Sequence, residues 1–176
     1  SNNIIHFITG LRPGTHLDNN VTVPNTITGL QYFLAKYDTN LNYVSSMLLP
    51  IADGTGFNGG YGPVTRFAYD ENLNRYYLAG MRSITINDLI IPLTYDGDPF
   101  VERSYILAFN GIVSTTGIDG GEAWRREIYS DPHPSFGDVI QNYITSLVID
   151  ANSDVYIAGT FYTYDSQNLL PIKVYD

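Results

Sequence analysis

Three short stretches set oxygen-bearing side chains at alternate positions, a spacing with which a loop can ligate a cation. They are Asp38-Thr-Asn40-Leu-Asn42, Asp70-Glu-Asn72-Leu-Asn74 and Asp150-Ala-Asn152-Ser-Asp154. A calcium loop of the EF-hand type also needs glycine at its sixth position and a bidentate glutamate at its twelfth. Counted from each Asp, the sixth positions hold Tyr43, Arg75 and Val155, and the twelfth hold Leu49, Met81 and Phe161. Aspartate can instead accept a hydrogen bond from the backbone two residues on, and asparagine tolerates a left-handed backbone. Each motif stands between two β-type runs, so all three are expected to be tight hairpin turns, and no metal or cofactor is expected.

The remaining candidates lie in the longer connections. Gly54-Thr-Gly56-Phe57-Asn-Gly59-Gly60-Tyr61-Gly62 lacks the Gly-Lys-Ser/Thr ending of a phosphate-binding P-loop, and no helical pattern follows it. Its Phe57 and Tyr61 are aromatics in a polar loop, a composition that can stack on sugar rings. Asp96, Asp98 and Glu102 in YDGDPFVE form an acidic cluster, either a solvated turn or a place for a cation. His133 is held between Pro132 and Pro134, which restrict the backbone and present the imidazole at a loop tip. His16 and Asp18 in GTHLDNN supply two potential ligands, too few for a site, and His6 lies in an apolar run as a packed or edge histidine. No Ser/His/Asp order with a nucleophile-elbow signature is present.

The composition narrows the field further. With 176 residues the chain is long enough for a single domain with a real core, burying about 70% of its unfolded surface. Nine Lys and Arg against 18 Asp and Glu give a formal charge of −9, which argues against a phosphate backbone as partner and so against nucleic acid. No run of about 18 apolar residues exists, so membrane insertion is not expected. Cysteine is absent, which removes disulfides, thiolate catalysis and Cys-type zinc sites. The opening SNNIIHF has neither an initiating Met nor a signal segment, and is read as a processed chain or an excerpt of a longer one.

The elements that must position these groups are strands. Fifteen Tyr, eight Phe and abundant Val, Ile and Thr favour β structure, and no segment of helical length has a 3.6-residue apolar stripe. β-type runs are expected at Ile4–Gly10, Gln31–Tyr37, Tyr43–Leu49, Val64–Tyr69, Arg75–Ile86, Arg103–Phe109, Ala123–Tyr129, Ile144–Ile149, Val155–Tyr162 and Leu170–Tyr175. They recur. Leu78-Ala79-Gly80 matches Ile157-Ala158-Gly159 and, more weakly, Ile8-Thr9-Gly10; Phe33-Leu34-Ala35-Lys36-Tyr37-Asp38 returns as Ile106-Leu107-Ala108-Phe109-Asn110. With four strand types A to D the chain reads B-C-D, A-B-C-D, A-B-C, in units of approximately 1–63, 64–143 and 144–176. The expected fold is all-β, antiparallel four-stranded repeats of the β-propeller blade kind, about two and a half blades in one domain spanning 1–176; the alternative is a β-sandwich. The long connections Leu11–Leu30, Pro50–Pro63, Asn87–Glu102 and Ser130–Tyr143 fall at one end of the blades, where a binding site is to be sought.

The hairpin Ser146-Leu-Val-Ile-Asp150 to Asp154-Val-Tyr-Ile-Ala-Gly159-Thr-Phe161, the segment Phe33–Asp38 and Trp124 after Gly120-Gly121 resemble the β-propeller repeats of bacterial secreted and surface proteins. The chain departs from that family where Leu41, Leu73 and Ser153 stand in place of the glycine that precedes the Asn of its turns. The resemblance implies an extracellular or cell-surface setting and a non-enzymatic, structural or adhesive role. Expected partners are other protein chains or further blades of the same protein, with glycans as the candidate small ligand near Phe57, Tyr61, Asp96, Asp98, Glu102 and His133. Two other readings are a carbohydrate-active enzyme domain and a subunit of an extracellular filament or multi-chain assembly.

Overall fold

In the computed structural model the described residues are 3–27, 30–52, 66–81, 94–102, 104–111, 120–128 and 143–160. They contain strands and turns and no helix. In chain order the strands are β1 (Ile4–Leu11), β2 (Gly14–His16), β3 (Val21–Val23), β4 (Gln31–Asp38), β5 (Tyr43–Leu48), β6 (Ile51–Ala52) and β7 (Arg66–Asp70). They continue with β8 (Arg75–Met81), β9 (Thr94–Tyr95), β10 (Asp98–Pro99), β11 (Ser104–Asn110), β12 (Glu122–Ile128), β13 (Tyr143–Ile149) and β14 (Val155–Thr160).

Three sheets follow one another along the chain: β1-β4-β5, the four-stranded β7-β8-β11-β12, and the hairpin β13-β14. All their pairings are antiparallel. The strands thus fall into sheets in the order B-C-D, A-B-C-D and A-B. The expected strand at Leu170–Tyr175, and the extension of β8 to Ile86, lie outside the described residues.

The second sheet is buried on both faces. Tyr76, Leu78, Tyr105, Leu107 and Phe109 point one way, into a core shared with Tyr32, Leu34, Met47 and Leu49 of the first sheet and its continuation. Tyr77, Ala79, Ile106 and Ala108 point the other way and meet Ile144 and Leu147, with Ile149, Val155 and Ile157 packed alongside. The first two sheets alone have the layering of a sandwich; the third makes the stack three deep. The described sheets do not close into a barrel or a ring.

Alignment of the repeat on this stack exposes an asymmetry. Leu34 and Leu107 are equivalent positions, and both enter the same core from opposite sheets, so the first and second sheets meet through like faces. Rings bear this out: His6 lies 4.5 Å from Tyr69 and 5.6 Å from Tyr76, centroid to centroid, across that interface. Ile157 is equivalent to Leu78, but it packs on the Tyr77 and Ala79 side of the second sheet. The second and third sheets therefore meet through unlike faces.

The connections expected to be plain loops are partly strands. Leu11–Leu30 carries the β2-β3 hairpin, whose Val21 and Val23 bury against Phe33 on the outer face of the first sheet. Its turn runs through three consecutive left-handed residues, Leu17, Asp18 and Asn19. Asn87–Glu102 carries the β9-β10 hairpin, and β6, at the head of Pro50–Pro63, pairs with β9. Asp96 and Gly97 take positive φ (52° and 81°), the geometry of a two-residue hairpin turn whose twist matches the flanking strands. Strands of two or three residues are too short to show a period, which is why the pattern missed them.

The three Asp-Asn motifs are hairpin turns. Asp38 Oδ1 accepts from the backbone N–H groups of Asn40 and Asn42, both at 2.8 Å. Asp70 Oδ1 accepts from Asn72 and Leu73 at 2.8 and 3.2 Å, and Asp150 Oδ1 from Asn152 and Asp154 at 2.8 and 3.0 Å. The left-handed residue is an asparagine, Asn74, in one turn; in the other two it is Leu41 (φ 64°) and Ser153 (φ 70°). A side chain with a Cβ pays roughly 1–2 kcal/mol in that region, and Leu41 is 70% exposed, so packing returns nothing for it. Leu41→Asn is expected to raise stability by up to about 1 kcal/mol, read as a higher urea midpoint at unchanged slope. A lower midpoint would contradict this account of the turn.

Candidate functional site

The richest polar constellation among the described residues forms where the β9-β10 hairpin meets β12. Alternation along β12 sends Trp124 and Arg126 to one side and Arg125 and Glu127 to the other. Trp124 packs against Tyr77, 5.8 Å between centroids, on the core side of the second and third sheets, and the Arg126 guanidinium lies 5.7 Å from the Trp124 ring. On the other side, the Arg125 side chain is only 7% exposed. Its guanidinium lies 4.1 Å from the centroid of the buried Phe100 ring.

Around Arg125 stand three carboxylates. Nη2 donates to Glu122 Oε2 at 2.6 Å and to Asp98 Oδ2 at 3.0 Å, and Nη1 lies 3.7 Å from Glu127 Oε1. Nη1 also donates to the Pro99 carbonyl at 3.1 Å. Glu127 Oε2 accepts the backbone N–H groups of Val101 and Glu102, both at 2.6 Å. Burial alone would lower the Arg125 pKa; the Glu122 hydrogen bond and charge, with the charges of Asp98 and Glu127, reverse this and raise it. Nearby, the Tyr95 hydroxyl donates to the Gly120 carbonyl, and burial with the charges of Glu122 and Asp96 holds its phenol far above the usual range.

This arrangement is a clamp. One cation ties the 98–102 segment to the outer strand of the second sheet, with its donors spent on protein acceptors. Of the expected site residues, Asp98 belongs to the clamp through its carboxylate and Glu102 through its backbone N–H. Asp96 sits at the exposed turn, where its N–H donates to the Pro50 carbonyl at 2.8 Å. Phe57, Tyr61 and His133 lie outside the described residues. Arg125 was not singled out from the sequence; Asp96-Gly97, a strong two-residue hairpin signal, was the available cue to the element it holds. No group of three or more His, Cys, Asp or Glu among the described residues is placed to hold a metal ion.

The other histidines are engaged. The His16 ring Nε2 lies 2.7 Å from the Arg12 carbonyl. His6 Nδ1 and the Tyr76 hydroxyl are 3.0 Å apart at the interface of the first two sheets, and the Lys36 ammonium lies 5.9 Å from the Tyr76 ring. Burial, then the Lys36 charge, lowers the His6 pKa, with Glu71 opposing; burial also lowers that of Lys36. Among the described residues no helix is long and apolar enough to cross a membrane. No protein-family model, curated protein or solved structure matches the chain.

Two measurements check these electrostatics. Arg125→Ala leaves three carboxylates around an emptied pocket and is expected to cost about 3 kcal/mol. Arg125→Lys should restore only part of it, since a point charge cannot serve several acceptors at once; a urea titration in which Arg125→Ala melts like the parent would refute the clamp. For His6 the folded chain binds the proton less readily than the unfolded one, whose ordinary value is 6.5. Its contribution to stability is therefore present above pH 6.5 and lost as the pH falls below it. Thermal midpoints should drop over that window in the parent and drop less in His6→Gln.

Proposed function

We propose that this chain is a non-enzymatic structural and adhesive module of a secreted or surface-exposed bacterial protein, built from blade-like antiparallel repeats. The observation that carries the reading is the step from the second sheet to the third. Unlike faces of equivalent sheets meet there, and a contact of that head-to-tail kind propagates into a ring or an open stack. A propeller is the closed form of such a series. The first sheet joins through like faces, so in this reading it is a terminal layer that ends the series at one side. The surface setting rests on the resemblance to bacterial propeller repeats.

A scaffold of this kind uses its polar groups to hold layers and turns in place. Arg125 with its carboxylates, the three turn aspartates and the His6–Tyr76 pair all act so. Its partners are other protein chains or further units of the same repeat, with glycans as the candidate ligand at the connections. The competing activity is carbohydrate hydrolysis by Asp98 and Glu102. Incubation with a panel of polysaccharides is expected to release no reducing sugar above the buffer blank. Release that Asp98→Asn or Glu102→Gln abolishes, with the fold intact by circular dichroism, would overturn the proposal.

A further inference from the structure

The outer face of the first sheet is only half covered. Phe33, Ala35 and Tyr37 share that face of β4, opposite Thr9, Phe7 and Ile5 of β1, while Leu34 points inward to the common core. The β2-β3 hairpin stands on the Phe33 end through Val21 and Val23. The other end is left with three half-buried rings, Phe7, Tyr37 and Tyr43. Phe7 and Tyr37 lie 5.6 Å apart, centroid to centroid, and Tyr37 and Tyr43 lie 5.7 Å apart at 89° to each other. Phe7 is the repeat equivalent of Tyr77, which is buried beneath the third sheet. The hairpin rises from the same face as the rings, so a further sheet cannot lie flat on what remains.

The turn of that hairpin brings a carboxylate to the rings. Asp18 accepts a hydrogen bond from the Tyr37 hydroxyl. Its backbone is held left-handed between Leu17 and Asn19, a conformation unfavourable for residues with a Cβ. Asn20 Nδ2 closes the turn by donating to the Leu17 and Asp18 carbonyls at 2.9 and 3.2 Å. The carboxylate is thus fixed by the chain on one side and by Tyr37 on the other. Every ion pair among the described residues is made by Arg125, so no cation of these residues pairs with Asp18. Lys36, next to Tyr37 on β4, turns the other way, toward the Tyr76 ring.

Aromatic faces beside a carboxylate without a cationic partner have the chemistry that binds an alkylammonium group. The carboxylate supplies the charge, and the ring quadrupoles attract the cation while accepting its apolar skin. The right angle between Tyr37 and Tyr43 suits a rounded group, whereas a flat sugar ring would need a flat platform. A chain of charge −9 also draws cations and repels anions. We propose that Phe7, Tyr37, Tyr43 and Asp18 form a binding site for an organic ammonium group, supplied by a small quaternary amine or by the lysine side chain of a partner protein.

Nuclear magnetic resonance titration of the 176-residue chain at fixed ionic strength tests this, with choline chloride in one arm and acetyl-lysine amide in the other. Saturable shifts of aromatic ring protons are expected in at least one arm, and the tighter ligand names the source. The neutral tert-butyl analogue of choline, equal in shape and without charge, should cause none. Asp18→Asn and Tyr43→Leu should each weaken binding several-fold while the far-ultraviolet circular dichroism is unchanged. Tyr37→Leu takes the place of either variant that misfolds. Tyr156→Leu removes a lone exposed tyrosine that also donates to an aspartate, and it should leave binding as it was. No saturable binding in either arm, equal binding of the neutral analogue, or binding that survives the Asp18 and Tyr43 variants would each overturn the proposal. The scaffold reading is judged separately, by sugar release dependent on Asp98 or Glu102, and stands or falls without this site.

Discussion

The structure depends on one strand having no outside. Every residue of β11 from Ser104 to Phe109 is buried, odd and even positions alike. A strand whose two faces are both covered must be apolar at nearly every position, so the alternation of a half-solvated sheet disappears. Its backbone groups are satisfied by β8 on one side and β12 on the other. Its side chains then need one sheet above and another below. The first and third sheets are the two answers to that requirement, and the turn motifs and the Arg125 clamp hold the ends of the layers in register.

The polar groups follow from the same constraint. Once both faces of the second sheet are covered by strands, the 98–102 segment passes along its margin, where the Arg125 side chain, only 7% exposed, would be a desolvated charge without partners. Asp98 supplies the opposite charge, and Glu127, two residues along β12 from Arg125 and on the same side, accepts the Val101 and Glu102 N–H groups. Asp70 is buried and its Oδ1 is taken by two backbone donors within its own turn. Its Oδ2 is buried without a hydrogen-bond partner; burying such groups costs energy unless they are paired, so the layering is helped by the pairings that are made and carries the cost of this one.

The strands and their order were legible in the sequence, and the layering of the sheets was not. The equivalence of Leu78-Ala79-Gly80 with Ile157-Ala158-Gly159 placed strands on long, strongly patterned runs, and those runs are strands of the described sheets in the expected order. The Asp-led turns were readable because aspartate has a local mechanism that needs no distant partner. Arg125 was not readable, because Asp98 and Phe100 come from a separate segment and only the fold brings them to β12. The β2-β3 and β9-β10 hairpins were missed for want of length. Like-face and unlike-face packing were indistinguishable, since alternation fixes which residues share a face and says nothing of what that face meets. Phe57, Tyr61 and His133 belong to connections outside the described residues.

What each face meets is decided by side-chain size. On the side facing the first sheet, Phe67, Tyr76 and Phe109 stack in a row, with centroids 5.6 and 5.3 Å apart and planes within 10° and 16° of parallel. Rings of that bulk hold the two backbones apart and need a facing layer with its own large side chains. Tyr32, Leu34 and Met47 provide that layer. The opposite side is lined by Ala68, Ala79, Ala108 and Ala123, with Tyr77 and Trp124 among them. Small residues let the next sheet come close, and branched chains such as Leu147 and Ile157 fill the space that remains. Close packing penalises both voids and overlap, so a bulky face against the alanine face would clash at the rings, and two alanine faces would leave gaps. The sequence therefore writes two different surfaces on one sheet, and the choice of partner for each follows from volume before any polar contact is considered.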